Sequence, residues 1–282
     1  MSVSVSVLIL TLNEELNLPA CIEAVSWCDD IVVLDSFSTD KTVEIAEKYG
    51  ARLYKRKFDN FASQRNYALE NITFKHEWIL HIDADEIITD ELMSEIEQNI
   101  RTSEYDAFQI PSKTILFGKW LRFSGMYPTY QVRLGRHPFF RFKQVGHGQR
   151  ENIDYSKVGT LKNPYIHYSF LKGIDDWFEK HNRYSQMEAE ETIRHMSESR
   201  RIVWLDLFSS YPVCRRRALK AISYRLPFRP IFRFFYMYFL RLGFLDGSAG
   251  LTYCCLIAVY EYMIVAKVKE QRAKSRDERV AR

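Results

Sequence analysis

From Ser4 to Ile100 the chain alternates strictly between β-branched or aliphatic runs and helical patterns, and few folds accept that order. The runs are Ser4–Leu10, Asp30–Asp35, Ala51–Lys55 and Glu77–Asp85; the helical patterns are Leu18–Trp27, Asp40–Gly50, Phe61–Asn71 and Asp90–Ile100. Strand and helix in turn predict parallel βαβ units, an α/β fold whose doubly wound, mostly parallel sheet is covered on both faces. Asp40 reads as a helix N-cap and Gly50 as the residue just past a helix end. Ligands of such sheets bind at the carboxyl ends of the strands. Those ends are Thr11-Leu12-Asn13-Glu14, Asp35-Ser36-Phe37-Ser38 and Asp83-Ala84-Asp85-Glu86.

The last of these carries the sharpest chemistry. Two carboxylates one residue apart, where a strand breaks into a loop, suit a hard cation that completes its octahedron on diphosphate oxygens and water. The plainer alternative is that solvated carboxylates such as Glu86 and Asp90 cap the next helix. Arg65 precedes this strand on a helix, and its planar donors fit a diphosphate or a base carbonyl. Its plainer alternative is an ion pair with Glu70 or Asp59, and that of Asp35 is an N-cap. From Tyr105 to about Tyr168, shorter strands with Gly and Pro punctuation suggest antiparallel additions to the sheet, and Asp175–Ser199 reads as a polar helix. The chain is thus expected to divide into residues 1–104, 105–199 and a basic, aromatic, helical extension at 200–282.

LTLNEE, VLDSFSTDKT, QRNYAL and HIDADE, in this order and spacing, resemble the nucleotide-binding half of family 2 inverting glycosyltransferases of the GT-A fold. RLGRHPFFRFKQVGHGQRE, HYSF, EKHNRYS and the LPFRP…FLRLGFLDG tail resemble the subgroup that builds lipopolysaccharide core and related surface polysaccharides. The resemblance implies a nucleotide-sugar donor, such as a UDP-hexose, and a lipid-anchored saccharide acceptor, with 1–104 as the nucleotide-sugar-binding half and 105–199 as the acceptor-binding and catalytic half. It implies that Thr11, Asn13, Glu14 and Asp35 hold base and ribose, that Arg65 contacts base or diphosphate, and that Asp83 meets the ribose. Asp85 would hold Mn²⁺ or Mg²⁺, with His147 and His167 as the histidines near metal or acceptor. An inverting transfer needs one carboxylate to take the acceptor proton. Glu151, 66 residues after Asp85, is the candidate, with Asp154 as the alternative; three residues separate His147 from Glu151, where the subgroup has the pair adjacent.

Three other classes fit less well. A haloacid-dehalogenase phosphatase wants Thr or Val where Ile87 stands; a nicotinamide enzyme wants a third glycine after Gly146-His147-Gly148; a nucleotidyltransferase wants a glycine-rich first loop, and no glycine precedes Gly50. Five cysteines without a C-x-x-C pair indicate neither a disulfide framework nor a structural zinc, so a reducing compartment is expected. The first apolar run lacks a basic flank and reads as a strand rather than a signal peptide.

Charge is distributed unevenly. Residues 200–282 carry 17 Lys and Arg against 6 acids, although the net charge of the whole chain is only +4. Basic residues interleaved with aromatics suit a segment lying among lipid headgroups, and without a nucleic-acid motif the expected partner is an anionic membrane surface. A basic helical pair packed on the body is the alternative. The longest uncharged stretch, Gly247–Tyr260, has 14 residues, short of the about 20 that span a bilayer. The expectation is therefore a cytoplasmic enzyme, peripheral on the inner face of a bacterial cell membrane. A non-catalytic, membrane-docked subunit of a polysaccharide assembly complex is the alternative from another class.

Overall fold

The computed structural model describes residues 3–146, 148–198 and 228–280. Its first half follows the alternation: β1 (Val5–Thr11), α1 (Leu18–Glu23), β2 (Ile31–Asp35), α2 (Thr42–Lys48), β3 (Arg52–Lys55), α3 (Phe61–Asn71), β4 (Trp78–Asp83), β5 (Glu86–Ile87) and α4 (Asp90–Thr102). β1 lies between β2 and β4, and β3 beyond β2, all parallel. Every residue of β1 is buried because both faces of the sheet are covered. The two-residue strand period divides them: Val5, Val7 and Ile9 join Leu18 and Ile22 of α1 and Leu92 and Ile96 of α4, whereas Leu8 and Leu10 join Ala62, Ala68 and Leu69 of α3.

Local chemistry sets the helix limits. Asn60 accepts from Ser63 N at 2.8 Å and Thr89 from Leu92 N at 3.2 Å, caps of about 1 kcal/mol each. The cap of α4 is thus Thr89, and Glu86, far from being a solvated cap, is fully buried. Asp40 accepts from Thr42 N at 3.0 Å, holding the start of α2 from two residues away, and Gly50 has the left-handed φ of 73° that ends the segment. α1 stops at Glu23 instead of reaching Trp27, whose indole N–H bonds back to Ala24 O at 3.1 Å in the turn that follows.

The second half comprises β6 (Ala107–Leu116), β7 (Lys119–Trp120), β8 (Thr129–Arg136), β9 (Phe142–Val145), β10 (Gly148–Glu151), β11 (Val158–Thr160) and β12 (Tyr165–His167). It extends the same sheet, in the order β3-β2-β1-β4-β8-β6-β12-β5, while β9 and β10 form a separate hairpin. β8 is antiparallel to both β4 and β6, as expected for this half, but β11 and β12 run parallel to β6. The chain leaves the sheet through β8 and the hairpin and re-enters beside β6 in its original direction.

Then come α5 (Gly173–Glu198), α6 (Arg229–Phe235) and α7 (Gly247–Val280). Ile264 and Val268 of α7 pack on Ala189 of α5. Just before α7, Asp246 accepts from Phe123 N (3.0 Å), Ser124 N (2.7 Å) and Ser124 Oγ (2.6 Å), fixing the C-terminal helices to the body. Most of the basic run from Arg200 lies outside the described residues. The uncharged stretch ends at Glu261, which pairs with Arg229 at 2.7 Å. The helical stretch Gly243–Arg276 is nonetheless long and apolar enough to cross a membrane by length and composition alone, with 28% of its apolar window buried.

Candidate active site

The first two strand ends are knitted into one unit. The Asp35 carboxylate, fully buried, accepts from Thr11 Oγ1 (2.9 Å), Ser38 N (2.9 Å) and Ser38 Oγ. Asn13 N donates to Ser38 Oγ at 2.8 Å and its Oδ1 accepts from Thr39 N at 2.8 Å. Asn13 and Phe37 hold left-handed φ values of 55° and 64°, a local strain of the sort that collects at ligand-binding turns. Glu14 N donates to Thr42 Oγ1 (2.7 Å), and its carboxylate accepts from Asn17 Nδ2 (2.7 Å) and Lys172 Nζ (2.5 Å). Burial raises the Glu14 pKa against the pull of Lys172. Thr11, Asn13, Glu14 and Asp35 therefore share one hydrogen-bonded ledge.

Beside it, β4 delivers Asp83 into a network of four charges. Asp83 accepts from Arg65 Nη2 at 2.6 Å and Arg133 Nη2 at 2.8 Å, and Arg133 also meets Glu86. Glu86 closes the ring by accepting from Asp83 N at 3.0 Å. Arg65 (1% exposed), Arg133 (5%) and Glu86 (0%) are sealed, yet the Asp83 side chain keeps 32% of its surface open. Burial opposes ionisation of Asp83, but the two guanidinium groups hold its carboxyl well below the usual range; the same burial raises the Glu86 pKa. Arg65 thus reaches the crevice through Asp83, and the acids once available to it pair elsewhere: Asp59 with Arg56 at 2.8 Å and Glu70 with Arg141 at 3.7 Å. Arg65 Nε also donates to Gln149 at 3.2 Å.

Asp85 has different company. The short β5 pairs antiparallel with β12, His167 opposite Glu86, and Tyr168 N donates to Asp85 O at 2.8 Å. His167 Nε2 then faces Asp85 Oδ2 at 3.3 Å. Burial works against the imidazolium, but Asp85, Glu86 and Asp83 outweigh it and push the His167 pKa up to about 9. Against its own burial, Asp85 is correspondingly held down by His167. Asp85 offers carboxylate oxygens suited to Mn²⁺ or Mg²⁺, and His167 can add a nitrogen once a cation displaces the proton it holds beside Asp85, with the remaining positions left to diphosphate and water. Among the described residues no group of three His, Cys, Asp or Glu side chains is arranged to hold a metal ion. His147 lies outside them.

The two candidate bases sit on and after the hairpin. Glu151 ends β10 on the same strand face as Gln149, the residue that touches Arg65, and accepts from Tyr155 Oη at 3.2 Å. Asp154 is exposed and caps the next turn through Ser156 N at 3.0 Å. Arg133 had no assigned role in the sequence although it stands in a quoted motif, where a charged residue on a strand between apolar Val132 and Leu134 was the available signal; Glu86, a solvated cap in the plainer alternative, is instead its buried partner.

Known proteins similar to this chain identify its family. The model of the family described as Glycosyl transferase family 2 matches residues 6–150. A Rickettsia felis protein named as an uncharacterized glycosyltransferase is 26% identical over 97% of this chain and 92% of its own. The lipopolysaccharide core biosynthesis glycosyltransferase LpsC of Rhizobium meliloti is 25% identical over 95% of this chain and 93% of its own. Among solved structures, S. aureus TarS 1-349 aligns at a TM-score of 0.45 and 18% identity over 93% of this chain and 91% of that one. Glucosyl-3-phosphoglycerate synthase from Mycobacterium tuberculosis aligns at 0.47 and 17% over 68% and 79%. With the family match spanning half the sequence and an Asp-x-Asp at the carboxyl ends of the sheet it predicts, the chain belongs to glycosyltransferase family 2, a transferase on the GT-A nucleotide-sugar-binding fold.

Proposed function

We propose that the protein is a metal-dependent, inverting hexosyltransferase that takes its sugar from a UDP-hexose and adds it to a lipid-anchored saccharide of lipopolysaccharide core or a related surface polysaccharide. The observation that carries this reading is the division of labour between Asp83, immobilised by Arg65 and Arg133, and Asp85, facing His167. The likeness to LpsC along nearly the whole chain supports the acceptor class.

In this reading Thr11, Asn13, Glu14 and Asp35 receive base and ribose, and Asp83 takes the ribose hydroxyls on its open edge. Arg65 acts by fixing Asp83. Asp85 and His167 hold the cation, which neutralises diphosphate charge when bound, and His147 is a further candidate ligand. Glu151, with Asp154 as the alternative, accepts the acceptor's hydroxyl proton as that oxygen attacks the anomeric carbon and the bond to the diphosphate breaks. The exposed apolar residues at 228–251 support a position on the inner face of the cell membrane, beside a lipid-anchored acceptor.

The test is a screen of nucleotide sugars by thermal shift with and without Mn²⁺, followed by transfer assays. A ligand at 100 times its Kd stabilises by about 2.7 kcal/mol, and stabilisation by a UDP-hexose is expected only with the cation. Glu151→Gln should lower turnover far more than donor affinity, since a base acts in the transition state. Metal-independent binding refutes the metal role. Activity in Glu151→Gln alongside a dead Asp154→Asn transfers the base to Asp154.

A further inference from the structure

Across the carboxyl ends of β1 and β4 lies α5, an element that the donor assignment does not use. Its N-terminal end is tied to the first ledge, Lys172 Nζ meeting Glu14 Oε1 at 2.5 Å. Three turns on, Tyr184 stands edge-on to Phe61, at the start of α3, with ring centroids 6.4 Å apart. Between those ties the helix is braced from behind: the ring of His181 sits 4.9 Å from that of Tyr260 on α7, and Lys267 Nζ donates to Asn182 Oδ1 at 2.8 Å. Near its other end Glu188 presses on the hairpin turn, where a Cβ on Gly146 would lie 2.0 Å from Glu188 Oε1. The helix is thus held over the crevice at several points.

Trp177, Lys180 and Tyr184 follow one another at helical spacing along this stretch. Lys180 stands within electrostatic reach of Asp85 and Glu14, and Tyr184 within reach of Asp83 and Asp85. The ion pair of Lys180 is with Asp176, at a loose 3.6 Å. Other cations of the site are committed more tightly: Arg65 to Asp83 at 2.6 Å, Arg133 to Asp83 at 2.8 Å and to Glu86, Lys172 to Glu14 at 2.5 Å. A diphosphate arriving beside Asp85 meets the carboxylates of Asp83 and Asp85; the arginines that balance Asp83 are sealed beneath it, and Asp85 has only His167 as an ion-pair partner among the described residues.

We infer that Lys180 is the phosphate-contacting cation of the site, meeting the donor's diphosphate directly and stabilising it as it departs. The inference rests on the nucleotide-sugar reading above. As the acceptor oxygen bonds to the anomeric carbon and its proton passes to the base, the electron pair of the broken bond stays on the leaving β-phosphate oxygen. The added charge falls beside the Lys180 ammonium, so Lys180 should matter more as the bond breaks than while the donor is merely bound.

The experiment uses the full chain with Mn²⁺ and titrates UDP, GDP, ADP and CDP into the wild type by calorimetry. The tightest of these, and the matching nucleoside monophosphate, are then measured on Lys180→Met, Lys180→Gln and Lys180→Arg. Expected are an about tenfold loss of diphosphate affinity in the Met and Gln variants, less than twofold change for the monophosphate, and near-complete rescue by Arg. Transfer turnover should fall by about a hundredfold, more than affinity does. Unchanged diphosphate affinity, or equal losses for both nucleotides, overturns the assignment of Lys180 and leaves the transferase reading standing. A wild type that binds none of the four removes both. Two neutral variants guard against a packing artefact, because a folding defect in one would have to recur in the other.

Discussion

β1 and the segment from Phe228 to Leu251 are both rich in large apolar residues, and folding treats them oppositely. Val5, Val7, Leu8 and Ile9 are fully buried, whereas Phe228 is 72% exposed, Phe232 55%, Phe235 52% and Leu240 76%. In β1 the apolar surface is removed from water by the sheet's two helical layers, at roughly 25 cal/mol per Å². Around α6 the same kind of surface is left facing water, so its free energy is still available to a partner. The first region therefore contributes to stability, and the second keeps apolar surface that an association could bury. Substitutions that move stability should cluster in the body, and those that move binding to a surface should cluster at α6.

The largest expected effect on stability comes from Arg133. Removing one member of a buried ion network leaves the others uncompensated, at a cost of about 3–5 kcal/mol. Arg133→Met strands the fully buried Glu86 and one oxygen of Asp83. Chemical denaturation should register that loss. A change below about 1 kcal/mol would mean that the two carboxylates tolerate burial unaided, and the body would then owe its stability to apolar packing alone.

A smaller effect depends on pH. The pKa of His167 is raised to about 9 in the folded protein from an ordinary value of 6.5. A group with a raised folded pKa stabilises fully below its unfolded pKa and loses that contribution as pH rises through the folded one. At 1.36 kcal/mol per unit the ceiling is about 3 kcal/mol. Metal-free protein in EDTA should therefore lose stability between pH 6.5 and about 9.5, and His167→Gln should flatten that slope. An identical slope in the variant would remove the His167–Asp85 pair as its source.

How much of this was legible in the sequence follows from the range of each interaction. The parallel half could be read because strand period, helix period and helix-end residues such as Asp40 and Gly50 are written within a few residues of where they act. Asp83 and Asp85 stood out for the same reason. The family resemblance singles out His167, but its contact with Asp85 arises through the pairing of β5 with β12, strands of two and three residues that carry no periodicity. Arg133 is opaque for a related reason: its partners are 50 and 47 residues away in the chain. The uncharged stretch of the sequence stops at Tyr260, whereas the C-terminal helix runs on past Glu261, which Arg229 pairs in the fold.

The smallest effect on stability, and the sharpest test of the comparison, belongs to the exposed aromatics. Phe232 and Phe235 are each about half exposed, so replacing both with Ser should change stability by no more than about 0.5 kcal/mol per site. If α6 docks on a bilayer, the same double variant loses the rings that enter the interface. At about 1 kcal/mol for each partly buried ring, binding to anionic vesicles should weaken by roughly tenfold to a hundredfold. Arg241, exposed in the turn that follows, should add preference for anionic over neutral lipid, worth about 1 kcal/mol at moderate salt and less as the Debye length shrinks. Co-sedimentation of wild type and variant with anionic and neutral vesicles reads both quantities. Should the double variant instead unfold, or bind vesicles as the wild type does, the exposed rings are not a membrane surface and the division between the two regions fails.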